Sequence, residues 1–151
     1  MRVLKPGGTF AGYEWGTTEK YDERNPEHVQ TKRLIEEGDG LPDLKPTTQC
    51  VADLQKAGFS IKESGIIPEG DIPWYQPLKG GDSFFSLTNL RASTIGRWLT
   101  RNMVWAMEKS WLAAKGSVGT LDMLEKGAVG LVRGGETGIF TPYFFFLAQK
   151  S

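Results

Sequence analysis

Hydrophobic positions along the chain change their spacing several times, and each change predicts an element. Residues 9–15, Thr-Phe-Ala-Gly-Tyr-Glu-Trp, are aromatic and small. They follow Lys5-Pro6-Gly7-Gly8, where proline ends a helix and glycine supplies a left-handed turn. This predicts a helix already running at Met1 and a strand after the turn, whose carboxyl end delivers Tyr13, Glu14 and Trp15. In open α/β sheets that end is where ligands bind. A polar loop is then expected over residues 16–22.

Asn25, Pro26 and Glu27 form a helix start, with the helix running to about Glu37 and stopping at Gly38. Thr47 or Thr48 caps a second helix, with Cys50, Val51, Leu54 and Ala57 on one face. Gly58 is its left-handed end, and Phe59-Ser60-Ile61-Lys62 alternates as a strand. Strand, helices and strand together predict a right-handed crossover between parallel strands. Residues 64–81 lose regular spacing among prolines and glycines, yet hold Trp74 and Tyr75, which read as a pocket lid.

Residues 87–112 read as a helix, broken near Gly96. Trp98, Trp105 and Leu112 lie along one side, Ile95, Leu99, Met103 and Met107 widen it, and Arg91, Arg97, Arg101 and Lys109 add charge. Two readings stay open: a helix packed within its own domain with charges turned outward, or an interfacial helix on a membrane surface. Ser117 caps a further helix ended by Gly134-Gly135. Gly127 and Gly130 inside it cost about 1 kcal/mol each against alanine, which implies a marginal helix or a second backbone close by. Residues 139–148 form an unbroken apolar run, predicting a strand covered on both faces at the sheet centre. Pro142 restricts its start to an edge or a bend.

The chain has 151 residues, enough for a core, with 18 basic and 18 acidic side chains and no net charge, so nothing points to a nucleic-acid partner. The single cysteine excludes an internal disulfide and fits a reducing compartment. No apolar run approaches the roughly 20 residues of a spanning helix. Cys50 reads as a core residue and His28 as a surface histidine. The acidic stretch at residues 36–43 lacks nearby histidine or cysteine, so no metal site is expected. Glu14 between two aromatics allows two readings. Aromatic faces and a carboxylate together favour a nearby cation, or Tyr13 and Trp15 pack on the sheet while Glu14 meets water.

Several stretches in order resemble the sterol 24-C-methyltransferase family: RVLKPGG at residues 2–8, YEW at 13–15, NPEH at 25–28 and IEEGDGLPD at 35–43. AGF at 57–59, IPWYQPL at 72–78 and GGETGIFTP at 134–142 continue it. The resemblance implies an α/β fold: the C-terminal half of a Rossmann-like class I methyltransferase sheet, with a helical insertion before the last strand. Residues 1–64 would complete the Rossmann-like part, and residues 65–151 would form the sterol methyltransferase C-terminal region.

It also implies methyl transfer from S-adenosylmethionine to carbon 24 of a sterol side-chain double bond, through a cation at carbon 25. Glu14 is then the catalytic candidate, and Tyr13, Glu14, Trp15, Trp74 and Tyr75 are the substrate-binding candidates. No strand is followed by a glycine-rich turn and a helix, so no cofactor-binding residue is expected in this chain. We expect it to be the C-terminal part of a larger enzyme, neither binding S-adenosylmethionine nor turning over alone. A methyltransferase for another prenyl lipid and a non-catalytic lipid-binding module are the alternatives. A membrane surface and a second copy of the chain stay open as partners, and the location stays open between the endoplasmic reticulum membrane and the cytoplasm. Gly16 stands where the family more often has a larger residue, which would loosen the pocket there.

Overall fold

The computed structural model describes residues 3–68, 70–79 and 94–150. The elements in chain order are β1 (Thr9–Thr17), α1 (Pro26–Asp39), α2 (Thr47–Lys56), β2 (Phe59–Ile66), α3 (Gln76–Lys79), α4 (Thr94–Lys109), α5 (Ser117–Thr137) and β3 (Phe140–Lys150). The fold is α/β, as expected. Its sheet has the order β1-β3-β2, with β3 antiparallel to both neighbours. β1 and β2 therefore run the same way without touching, and β3 takes the centre because its apolar run has two flanks to cover.

Pro142 lies in this central strand at a bulge. Glu14 pairs with Phe144 and Gly16 with Thr141, so β3 carries one residue more than β1 across that interval. A bulge spares proline the ladder bond it cannot make. The hydroxyl of Thr141 accepts from the Tyr143 N–H at 3.1 Å, and the Tyr143 carbonyl accepts from Ile67 at 3.0 Å.

Two buried clusters form the core. Ile35, Leu44, Ile139 and Phe140 hold the α1–α5 side, with Trp15, Leu41 and Trp74 against them; Phe59, Phe146 and Ala148 hold the α2 side, with Cys50, Leu54 and Ile61. α1 and α5 meet through glycine. A Cβ on Gly38 would fall 2.1 Å from the Gly127 Cα, and one on Gly130 would fall 2.8 Å from the Ile35 nitrogen. The interior glycines of α5 thus mark a close backbone approach.

Several boundaries move. Val3 and Leu4 belong to turns, with no helix there. β1 continues to Thr17, so Tyr13-Glu14-Trp15 lies inside the strand rather than at its tip. α1 ends two residues later than expected, at Gly40 with φ +63°, because Gly38 is spent on packing against α5. Thr47 and Ser117 are first helical residues, and Pro46 and Gly116 occupy the cap positions without a side-chain bond. α5 passes through Gly134-Gly135 and ends at Gly138, φ +70°. α4 is unbroken at Gly96, which is buried. The expected helical residues 87–93 lie outside the described residues.

Candidate functional site

β1 is an outer strand, and a cavity of about 840 Å³ runs along it. The cavity touches both Glu14 and Trp15, where the register of β1 against β3 shifts. Phe10 and Phe146 floor it, Cys50 and Leu54 of α2 form one wall, and Leu41 and Leu44 of the α1–α2 loop form the other. Its volume falls within the roughly 300–1,000 Å³ of ligand pockets.

The loop wall is fastened by its acids. The Glu36 carboxylate accepts the Leu44 N–H at 2.7 Å, and the Glu36 carbonyl accepts the Leu41 N–H at 2.9 Å. Asp43 is bridged by Lys32 and Lys45, and these two ammonium groups bring its carboxyl down from the ordinary 3.8 to about 2. This acidic stretch therefore shapes the cavity. Asp39, which lines it, has its pKa raised by burial.

Four carboxylates, Glu14, Asp39, Asp43 and Asp53, meet the cavity against one lysine, Lys45. The Glu14 carboxylate accepts from the neighbouring Trp15 N–H at 3.2 Å. Burial, then the charges of Glu14 and Asp53, push the Cys50 thiol up, so it stays a neutral wall residue; thiolate is the reactive form. Such a site suits an apolar ligand that is neutral or cationic and repels an anionic one.

The expected site residues are not all brought together. Glu14 and Trp15 share the cavity. Tyr13 is 61% exposed, rests its ring on Phe145 at 5.7 Å, and lines a separate hollow of about 420 Å³ with Ile67, Pro68 and Tyr143. Trp74 and Tyr75 line neither. Trp74 stands edge-on to Phe140 at 5.7 Å, Trp15 meets Phe140 at 5.4 Å, and Tyr75 packs on Trp74 at 5.6 Å. The expected lid residues thus connect to the cavity through Phe140 and Trp15. His28 accepts the Asp22 N–H at 3.0 Å and so secures the loop after β1.

Phe10, Leu41, Leu44, Cys50, Leu54 and Phe146 are cavity residues that spacing alone did not select. Their only sequence signal was membership of apolar faces, which every core residue shares. Gly16 does not loosen the pocket. A Cβ there would lie 3.0 Å from the Lys45 carbonyl and 3.1 Å from Thr47 Cγ2, because the loop backbone already fills that space.

Residues 87–151 match the family model described as sterol methyltransferase C-terminal. Cycloartenol-C-24-methyltransferase of Arabidopsis thaliana is 47% identical over 150 residues, covering 99% of this chain and 44% of that protein. Over nearly its whole length, the chain is similar in sequence to sterol 24-C-methyltransferases. Sterol 24-C-methyltransferase of Kluyveromyces lactis is also 47% identical, over 99% of this chain and 42% of its own length. The chain thus spans less than half the length of these relatives. The crystal structure of a protein assigned as a sarcosine dimethylglycine methyltransferase from Galdieria sulphuraria shares the fold, with a TM-score of 0.50 at 14% identity over 99% of this chain and 44% of that one.

Proposed function

We propose that this chain supplies the acceptor side of a sterol 24-C-methyltransferase, and that the cavity along β1 holds the sterol side chain. The observation that carries this reading is an apolar cavity of about 840 Å³ whose polar groups are mostly carboxylates. Methylation of a carbon–carbon double bond leaves a cation on the neighbouring carbon. Trp15 and Phe10 offer aromatic faces to it, and each such face contributes about 0.5–2 kcal/mol. Glu14 offers a fixed negative charge where positive charge develops, the arrangement that lowers such barriers. The apolar walls keep water from capturing the cation. Tyr13 acts from the opposite face, and Trp74 and Tyr75 act through Phe140 as positioning residues.

S-adenosylmethionine is the methyl donor of this proposal. Its seat does not fit the described residues. The turn after β1, residues 18–25, contains no glycine and carries Glu19, Asp22 and Glu23, while Gly7 and Gly8 precede that strand. The donor's seat is therefore assigned to residues beyond this set. On this reading residues 1–64 are the C-terminal part of the Rossmann-like domain, and residues 65–151 are the sterol methyltransferase C-terminal region.

Binding of a fluorescent sterol and of a sterol bearing a protonated amine at carbon 25 tests the reading. The cationic sterol should bind more tightly than its neutral parent, and Glu14→Gln should erase about ten-fold of that advantage, or about 1.4 kcal/mol. Equal affinities for the two, unchanged by the substitution, would remove Glu14 from its role. A prenylated phenol that outcompetes both sterols would move the acceptor to another prenyl lipid.

A further inference from the structure

α4 is built the wrong way round for a helix that only packs on its own domain. The side turned to α5 carries Thr100, Val104 and Glu108, half-buried, while Ile95, Trp98, Leu99, Met103, Trp105 and Ala106 face solvent. Trp98 is 63% and Trp105 55% exposed. They stand seven residues apart, two turns along one face. Just beyond the helix, Trp111 adopts a left-handed conformation, φ +64°, and is 94% exposed, with Leu112 beside it. Three of the chain's five tryptophans are therefore exposed within residues 98–111.

Several polar groups of this stretch bond to the helix's own backbone or to α5. The Asn102 amide donates to the Trp98 carbonyl at 2.7 Å, and the Ser110 hydroxyl donates to the Ala106 carbonyl at 2.8 Å. Glu108, the single acid in residues 94–116, accepts the Gly116 and Val118 N–H groups at 3.0 and 3.1 Å and so caps α5. Arg101 clasps Asp122 on α5. The same 23-residue stretch holds Arg97, Arg101, Lys109 and Lys115, a local excess of positive charge in a chain that is neutral as a whole.

We infer that α4 and the turn after it form a membrane-surface anchor that seats flat in the headgroup region of an anionic bilayer. Charge complementarity selects this occupant. Lys109 and Lys115 stand close to the tryptophans in sequence, and Glu108, the one acid of the stretch, is already spent on the α5 amides. An anionic leaflet matches these lysines, with tryptophan enriched at that depth. α4 is about 24 Å long by its residue count. Among the described residues no helix is long and apolar enough to cross a membrane, so the anchor lies on the surface. The inference does not depend on the sterol reading.

Flotation of the chain with phosphatidylcholine vesicles, with and without phosphatidylserine, tests it, and so does quenching of tryptophan fluorescence by brominated lipid. We expect flotation that is stronger with phosphatidylserine, and quenched tryptophan. Trp98→Ser with Trp105→Ser should abolish flotation while circular dichroism stays unchanged. Lys109→Gln and Lys115→Gln should each weaken binding to the anionic vesicles by roughly five-fold. Failure to float with either vesicle would overturn the inference. So would flotation indifferent to the tryptophan variant, or a concentration-dependent dimer abolished by that variant. None of these measurements involves sterol or methyl donor, so their failure leaves the cavity reading intact.

Discussion

Asp43 holds two lysines at once, Lys32 from α1 and Lys45 from its own loop. Its carboxyl is depressed from 3.8 to about 2, so folding favours its charged form. The stability this gives is present above the unfolded value and is lost as pH falls through the folded one. We expect the urea midpoint to fall between about pH 4 and pH 2, and Asp43→Asn to flatten that part of the profile. The neighbouring Glu36 does a different task with the same chemistry, since its carboxylate replaces a backbone partner for Leu44. Neither role was readable from residue order. An acidic run looks the same in sequence whether it is solvated, binds a metal or ties a loop, and only the partners distinguish the three.

At the level of elements, glycine decides how α1 and α5 meet. Alanine normally stabilises a helix interior by up to about 1 kcal/mol over glycine. At Gly38 the sign should reverse, because the new Cβ would fall 2.1 Å from the Gly127 Cα. Gly38→Ala should destabilise by about 1–3 kcal/mol or more, while Gly119→Ala, with nothing within 4 Å, should be neutral or stabilising. Denaturant midpoints of the two variants check this. The close approach was legible, since Gly127 and Gly130 made little sense in a helix standing alone. Which glycine ended α1 was not, because Gly38 and Gly40 are equivalent until α5 arrives. The face of α4 was equally hidden: spacing showed a wide apolar surface, and only packing on α5 revealed which side looks outward.

For the whole molecule, the order β1-β3-β2 makes the last strand the common partner of the first two. The expectation of a central final strand rested on the unbroken apolar run at residues 139–148, a strong signal because a strand with one wet face would alternate. The split of Tyr13 from Glu14 and Trp15 was not foreseeable to the same degree, because it depends on where β1 lies in the sheet and on the loop that walls its edge. The sheet order predicts that residues 1–64, expressed alone, show helical circular dichroism without cooperative unfolding. β1 and β2 have no ladder to each other, and a sheet signal from that fragment would contradict this. Adding residues 94–151 as a separate peptide should restore a cooperative transition.

The position of β3 also has a consequence in time. A ribosome makes β1 and β2 long before residues 140–150, so neither strand can find its hydrogen-bonding partner while the intervening chain is being made. Until then the aromatic strand at residues 9–17 waits without its ladder. Pairings this distant in sequence close slowly, and unpaired strand edges invite association. The nascent chain therefore depends on something to shield that strand during synthesis, and pausing translation after β2 should lengthen its exposure to aggregation.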